Sequence, residues 1–168
     1  MGLFSFLKNA GAALTGGGKK EAPKPAEQPA SGGSDALKKL EDAQLAMRLT
    51  NHVSALGLKI NDLSIEVDDD KATVHGTVET QGEKEKVILA IGNVAGIATV
   101  EDRISVVAPP EPPAVFYEVQ KGDTLSGISK KHYGSANKYM VIFEANKPML
   151  SHPDKIYPGQ MLRIPAVA

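Results

Sequence analysis

The side chains of this 168-residue chain whose types could do chemistry are four histidines, a run of three aspartates and a glycine–lysine cluster. His52, His75, His132 and His152 fall in no H-x-x-x-H, H-E-x-x-H or H-x-E pattern, and no pair shares a helical face, so metal ligation by imidazole is not expected. His132 reads as a helix-end residue, favourably placed on the helix dipole when protonated. Asp68-Asp69-Asp70 lacks the ligand spacing and distal Glu of a calcium loop, and a solvated hairpin turn is the expectation. Gly16-Gly17-Gly18-Lys19-Lys20 does not satisfy the phosphate-loop pattern, and no G-x-S-x-G elbow occurs. The absence of cysteine removes disulfides, zinc–thiolate sites and a thiol nucleophile. No catalytic site is expected.

Composition narrows the field further. Apolar residues make up 42% of the chain, aromatics 5%, and there is no Trp, so small aliphatic cores are expected. A formal net charge of −1 supplies no basic field for nucleic acid. The apolar run Leu3-Phe4-Ser5-Phe6-Leu7 has no positive charge before it and is broken by Lys8 and Asn9, unlike a secretory signal. No stretch approaches the roughly 20 apolar residues of a membrane span. Phe6 departs from the myristoylation pattern. A soluble, cytoplasmic monomer is the expectation.

Residues 16–34 are rich in Gly, Pro and Lys without apolar periodicity, and read as a flexible linker. Residues 108–114 carry Pro109, Pro110, Pro112 and Pro113, a semi-rigid extended hinge. Between them, 35–107 alternates patterns. Asp35 is a plausible N-cap for a helix from Ala36 to Leu56, with Gly57 as its stop and Leu45, Leu49, Val53 and Leu56 as its stripe. Leu63–Val67 and Ala72–Val78 alternate with period two around the acidic turn. A helix from Gln81 to Ile91 and a strand from Thr99 to Val107 complete an α-β-β-α-β order. In 115–168, a strand at Tyr117–Val119 leads through Gly122 to a helix capped by Asp123 or Thr124 and ended by Tyr133-Gly134. A second helix spans Asn137 to Ala145, with Tyr139, Ile142 and Phe143 as core candidates, and Ile156–Pro165 forms a turn and closing strand. At the other end Leu3, Phe4, Phe6, Leu7 and Leu14 with Lys8 suggest that 1–15 is a short amphipathic helix, marginal alone and expected to dock on the middle domain. A place on a membrane surface is the alternative for that helix.

The α-β-β-α-β order, the strand pair around an acidic turn, Gly92 and Gly96-Ile97 before the last strand resemble a BON domain. The V-x-x-G-D-T-L run at Val119–Leu125 and the I-x-P-G-Q-x-L-x-I-P run at Ile156–Pro165 resemble LysM. The fold class implied is α+β, a small αββαβ BON domain followed by a βααβ LysM domain. For LysM the resemblance implies a glycan site between Gly122, Asp123 and Thr124 and the loop that starts at Lys147 and Pro148. A cytoplasmic protein does not meet assembled cell-wall glycan, so a clasp role for LysM against BON is expected instead.

The combination of a Gly2-Leu3-Phe4 start, a BON domain and a C-terminal LysM resembles the bacterial family of cytoplasmic potassium-binding proteins. Matching stretches include Asp70–Val74, Gly92-Asn93, Phe143–Leu150 and Pro153–Gln160. The resemblance implies an ion sensor or buffer that binds potassium selectively, with rubidium or caesium as substitutes, and compacts on binding. Alkali cations are held by several oxygens, and backbone carbonyls suffice. Helix C-termini offer such free carbonyls. Two glycine-marked helix ends, at Ala10-Gly11 and at Gly92–Gly96, are therefore candidates. By resemblance the ligating carbonyls are those of Leu7, Ala10, Ala12, Gly92, Val94 and Ile97.

Overall fold

The computed structural model describes residues 2–6 and 33–167. The chain folds into the expected α+β order with one addition at its start. Strand β1 (Gly2–Ser5) precedes helix α1 (Gly33–Ala55), strands β2 (Asn61–Asp68) and β3 (Lys71–Val78), helix α2 (Gln81–Gly92) and strand β4 (Thr99–Val106). The C-terminal unit follows as β5 (Val115–Glu118), α3 (Leu125–Tyr133), a 3-10 turn (Ala136–Lys138), α4 (Tyr139–Ala145) and β6 (Met161–Ile164).

The first unit is a four-stranded mixed sheet in the order β1-β4-β3-β2. Strands β2 and β3 form the hairpin read from the alternating pattern, closed by Asp69 and Asp70 between the paired Asp68 and Lys71. Asp69 takes a positive φ of 57°, which Asp tolerates better than most residues. Lys38 of α1 reaches over this turn, 2.9 Å from Asp69 and 3.6 Å from Asp68. The three aspartates are thus a solvated turn answered by a lysine, and among the described residues no cluster of His, Asp or Glu could hold a metal. Strand β4 runs parallel to β3, so α2 serves as the crossover. A capping box starts α2: Thr80 Oγ1 accepts from the Glu83 amide at 3.2 Å, and Glu83 Oε2 accepts from the Thr80 amide at 3.1 Å. Both helices pack on the sheet and touch each other. The core joins Leu49 and Val53 of α1, Val87, Ile88, Leu89 and Ile91 of α2, and Val74, Val78 and Val100 of the strands.

The N-terminus departs from expectation. Residues 2–5 are a strand, not the start of an amphipathic helix, and pair antiparallel with β4 from Gly2↔Asp102 to Ser5↔Thr99. The physical reason is the open edge of β4. An edge strand satisfies backbone groups at once, whereas a short isolated helix must nucleate unaided. The burial alternates accordingly: Leu3 is exposed, Phe4 partly buried, Phe6 buried. The rest of the expected 1–15 helix, and the linker as far as Gly32, lie outside the described residues. Helix α1 begins at Gly33, ahead of the expected cap, so Asp35 sits in its first turn.

In the second unit β5 and β6 pair antiparallel, Val115↔Ile164 through Glu118↔Met161. Thr124 caps α3 through its hydroxyl, and Gly134 ends it with φ 71°. The helix expected from Asn137 opens instead as the 3-10 turn before α4. The segment 107–114 has no regular structure. It is tied down by Val107 N to Val78 O at 3.0 Å, Ala108 N to Glu79 O at 2.9 Å and Ala114 N to Glu85 Oε1 at 3.0 Å.

A candidate ion-binding turn at the junction of the two units

Residues 92–97 form the turn that ends α2 and leads to β4. Its backbone is only partly satisfied. Val94 N donates to Ile91 O and Ile97 N donates to Val94 O, both at 3.2 Å. Among the described residues no donor meets the carbonyls of Gly92 or Ile97. Gly96 takes φ 101°, a backbone state that favours glycine and lets the turn reverse. The turn therefore presents main-chain oxygens at a helix C-terminus, where the dipole is negative.

Gly92 is also where the N-terminal segment lands. A Cβ added to Gly92 would lie 2.2 Å from the Phe6 ring, so the aromatic ring occupies the space that any side chain would need. Phe6 N donates to Ala98 O at 2.7 Å, which fixes the strand end beside the turn. The expected site residues Gly92, Val94 and Ile97 thus sit on one turn. The expected partners Leu7, Ala10 and Ala12 lie outside the described residues, but the segment that leads to them leaves from Phe6, on Gly92 itself.

The second unit grips the same turn. Asn93, between two of the candidate residues, donates through Nδ2 to Met161 O at 3.1 Å and accepts at Oδ1 from Met161 N at 3.0 Å. Two residues along β6, Asn146 makes the same pair of bonds with Arg163, donating to its carbonyl at 2.8 Å and accepting from its amide at 2.8 Å. The two side-chain amides satisfy the edge of β6 that β5 does not cover. Nearby, the Arg163 guanidinium pairs with the buried Glu85 carboxylate of α2, which also accepts from Gln81 at 3.1 Å. Phe4 and Phe116 stack at 5.1 Å, and Met149 and Met161 pack against the first unit's core. The Gly92-Asn93 match points to this turn, but no local pattern gives Asn93 its partner, which lies 68 residues away.

The residues expected for glycan recognition are engaged otherwise. Asp123 Oδ2 accepts from the Gln120 amide at 2.9 Å and from the Tyr117 hydroxyl at 2.8 Å. Those bonds hold its carboxyl below the usual carboxylate range and push the Tyr117 hydroxyl up. Thr124 Oγ1 is the α3 cap, accepting from Gly127 N at 3.1 Å. Gly122 takes φ 90° in the turn. Lys147 pairs with Glu144 at 2.7 Å and lies over the Phe143 ring, and Pro148 follows it through a cis peptide. No hydrogen bond joins the two loops among the described residues. His132 sits in the last turn of α3, as expected; its ring meets Tyr117 edge-on at 5.2 Å, and its Nε2 is buried without a hydrogen-bond partner among the described residues.

The fold and this junction define a two-domain protein of BON and LysM type. The BON domain model matches residues 41–108 and the LysM domain model residues 117–165. Across 98% of this chain and 99% of its own length, the potassium binding protein Kbp of Escherichia coli O6:H1 is 45% identical to it. The chain belongs to the Kbp family. An uncharacterized protein of Deinococcus radiodurans is 47% identical over 49 residues, 29% of this chain and 19% of that protein. Among the described residues no helix is long and apolar enough to cross a membrane.

Proposed function

We propose that this chain is a cytoplasmic potassium-binding protein, a sensor or buffer rather than an enzyme, whose ion is held by main-chain oxygens of the 92–97 turn and of the segment following Phe6. The observation that carries the reading is the seat of Phe6 on Gly92, which brings the N-terminal segment to carbonyls that no described donor satisfies. The donor set suits the ion. Neutral carbonyls replace the hydration shell of an alkali cation, while magnesium and calcium favour charged oxygens. Gly92, Val94 and Ile97 supply one half of the ligand set, and Leu7, Ala10 and Ala12 the other. Rubidium or caesium would substitute by the same chemistry. The Asn93–Met161 clasp supports a role for LysM in holding the ion-bound turn, with the protein compacting as both halves close and acting as a monomer. The similarity to a protein named for potassium binding supports the choice of ion.

Calorimetry of the full chain with potassium, rubidium and sodium chlorides tests the reading. Saturable heat with potassium and rubidium, and none with sodium, is expected. Absence of heat with potassium at millimolar concentration sinks it.

A further inference from the structure

A groove of about 700 Å³ runs between the two units, walled by α1, the end of α2 and the LysM loop that follows α4. Its volume lies in the range of small-molecule sites, which favour domain junctions. The accessible apolar lining is Leu56, Val94, Met149 and Tyr157, each partly exposed, above the buried Leu89, Ala90 and Leu150. The rim carries two cations, Arg48 of α1 and Lys155 of the LysM loop, with His52, whose pKa burial lowers, one turn from Arg48. Among the described residues no Asp or Glu lines the groove. Among the described residues neither Arg48 nor Lys155 has a carboxylate partner within ion-pair distance. Both side chains are exposed and free to meet a ligand. An apolar floor beneath unanswered cations complements a ligand with one anionic end and a compact hydrocarbon body.

We infer that this groove binds a small amphipathic carboxylate, its head on Arg48 and Lys155 and its apolar body on Leu56, Val94 and Met149. A planar carboxylate matches the guanidinium fork, and the body gains by leaving water. The rim cations play no part in the ion reading, and potassium is kept constant in the test because Val94 borders both the groove and the proposed ion site.

The test is an amide-resolved NMR titration of the full chain in potassium buffer, with 2-naphthoate as the probe and 2-naphthalenemethanol as its neutral counterpart. Saturable shifts centred on Val94, Ala95 and Met149 are expected for the carboxylate, with the alcohol weaker by about tenfold or more, the value of a hydrogen-bonded charge. The variant R48E/K155E, altered only at the rim, is expected to keep its spectrum elsewhere and to lose the carboxylate preference. Equal affinity for acid and alcohol overturns the inference. So do shifts centred outside the groove, the absence of saturation, or an unchanged preference in R48E/K155E.

Discussion

At the scale of single residues, Gly92 has two duties. It ends α2, which its position after Ile91 made readable, and it leaves room for an aromatic ring 86 residues earlier in the chain, which no local pattern reveals. Gly92→Ala keeps a good helix former at a helix end, so the fold is expected to survive by circular dichroism. The Phe6 ring must then move, and potassium affinity measured by calorimetry is expected to fall by about tenfold or more, equivalent to about 1.4 kcal/mol. The double change Phe6→Ala with Gly92→Ala removes the clash without restoring the seat, so affinity is expected to stay low. A recovery to the original value would show that Phe6 does not hold the segment. Asp123 gives a second expectation at this scale. Its folded carboxyl titrates below the unfolded value because the Gln120 amide and then the Tyr117 hydroxyl stabilise the anion. Its contribution is therefore complete above the unfolded pKa of about 4 and is lost as pH falls through the lower folded value. Acid unfolding of the LysM unit, followed by tyrosine fluorescence, is expected to begin at higher pH in the wild type than in Asp123→Asn, relative to each protein's neutral stability.

Among the elements, β6 carries the coupling between the two units. One edge pairs with β5, and the other meets Asn93 of the BON turn and Asn146 of LysM. Asn93→Ala leaves the Met161 amide and carbonyl without partners. It is expected to cost about 1–3 kcal/mol, the penalty of an unmade buried bond, and to lower potassium affinity without unfolding either domain. Arg163→Met leaves Glu85 charged and buried. A loss of about 3 kcal/mol is expected in chemical denaturation, whereas Arg163→Met with Glu85→Leu is expected to recover most of it, since apolar pairs replace buried ion pairs at little cost. The elements themselves were largely legible. Alternation around Asp68–Asp70 gave the hairpin, and the Thr124 cap and Gly134 gave α3. The strand β1 was not, because four residues with one aromatic fit either a helix face or an edge strand, and only the open edge of β4 decides between them. The Phe4-x-Phe6 alternation was the available signal. The approach of β6 to α2 was equally hidden, since it rests on Asn93, Glu85 and Arg163, polar residues that carry no periodicity.

For the whole molecule, the two units share a seam in which Phe4, Phe116, Met149 and Met161 cover the first core. Removing residues 1–6 would bare that seam and the outer edge of β4 together. Unpaired strand edges recruit other chains, so the shortened protein is expected to self-associate at concentrations where the full chain does not, as light scattering would read directly. A shift of potassium affinity without association would show that the edge is otherwise protected. The same strand also sets an order of events during synthesis. Gly2 pairs with Asp102, so the first residues made wait for a partner that is made about a hundred residues later. At about 5–20 residues per second, that is several seconds on the ribosome during which the amino terminus has nowhere to settle. On the proposed ion reading, newly made chains would become responsive only once the entire BON unit has emerged.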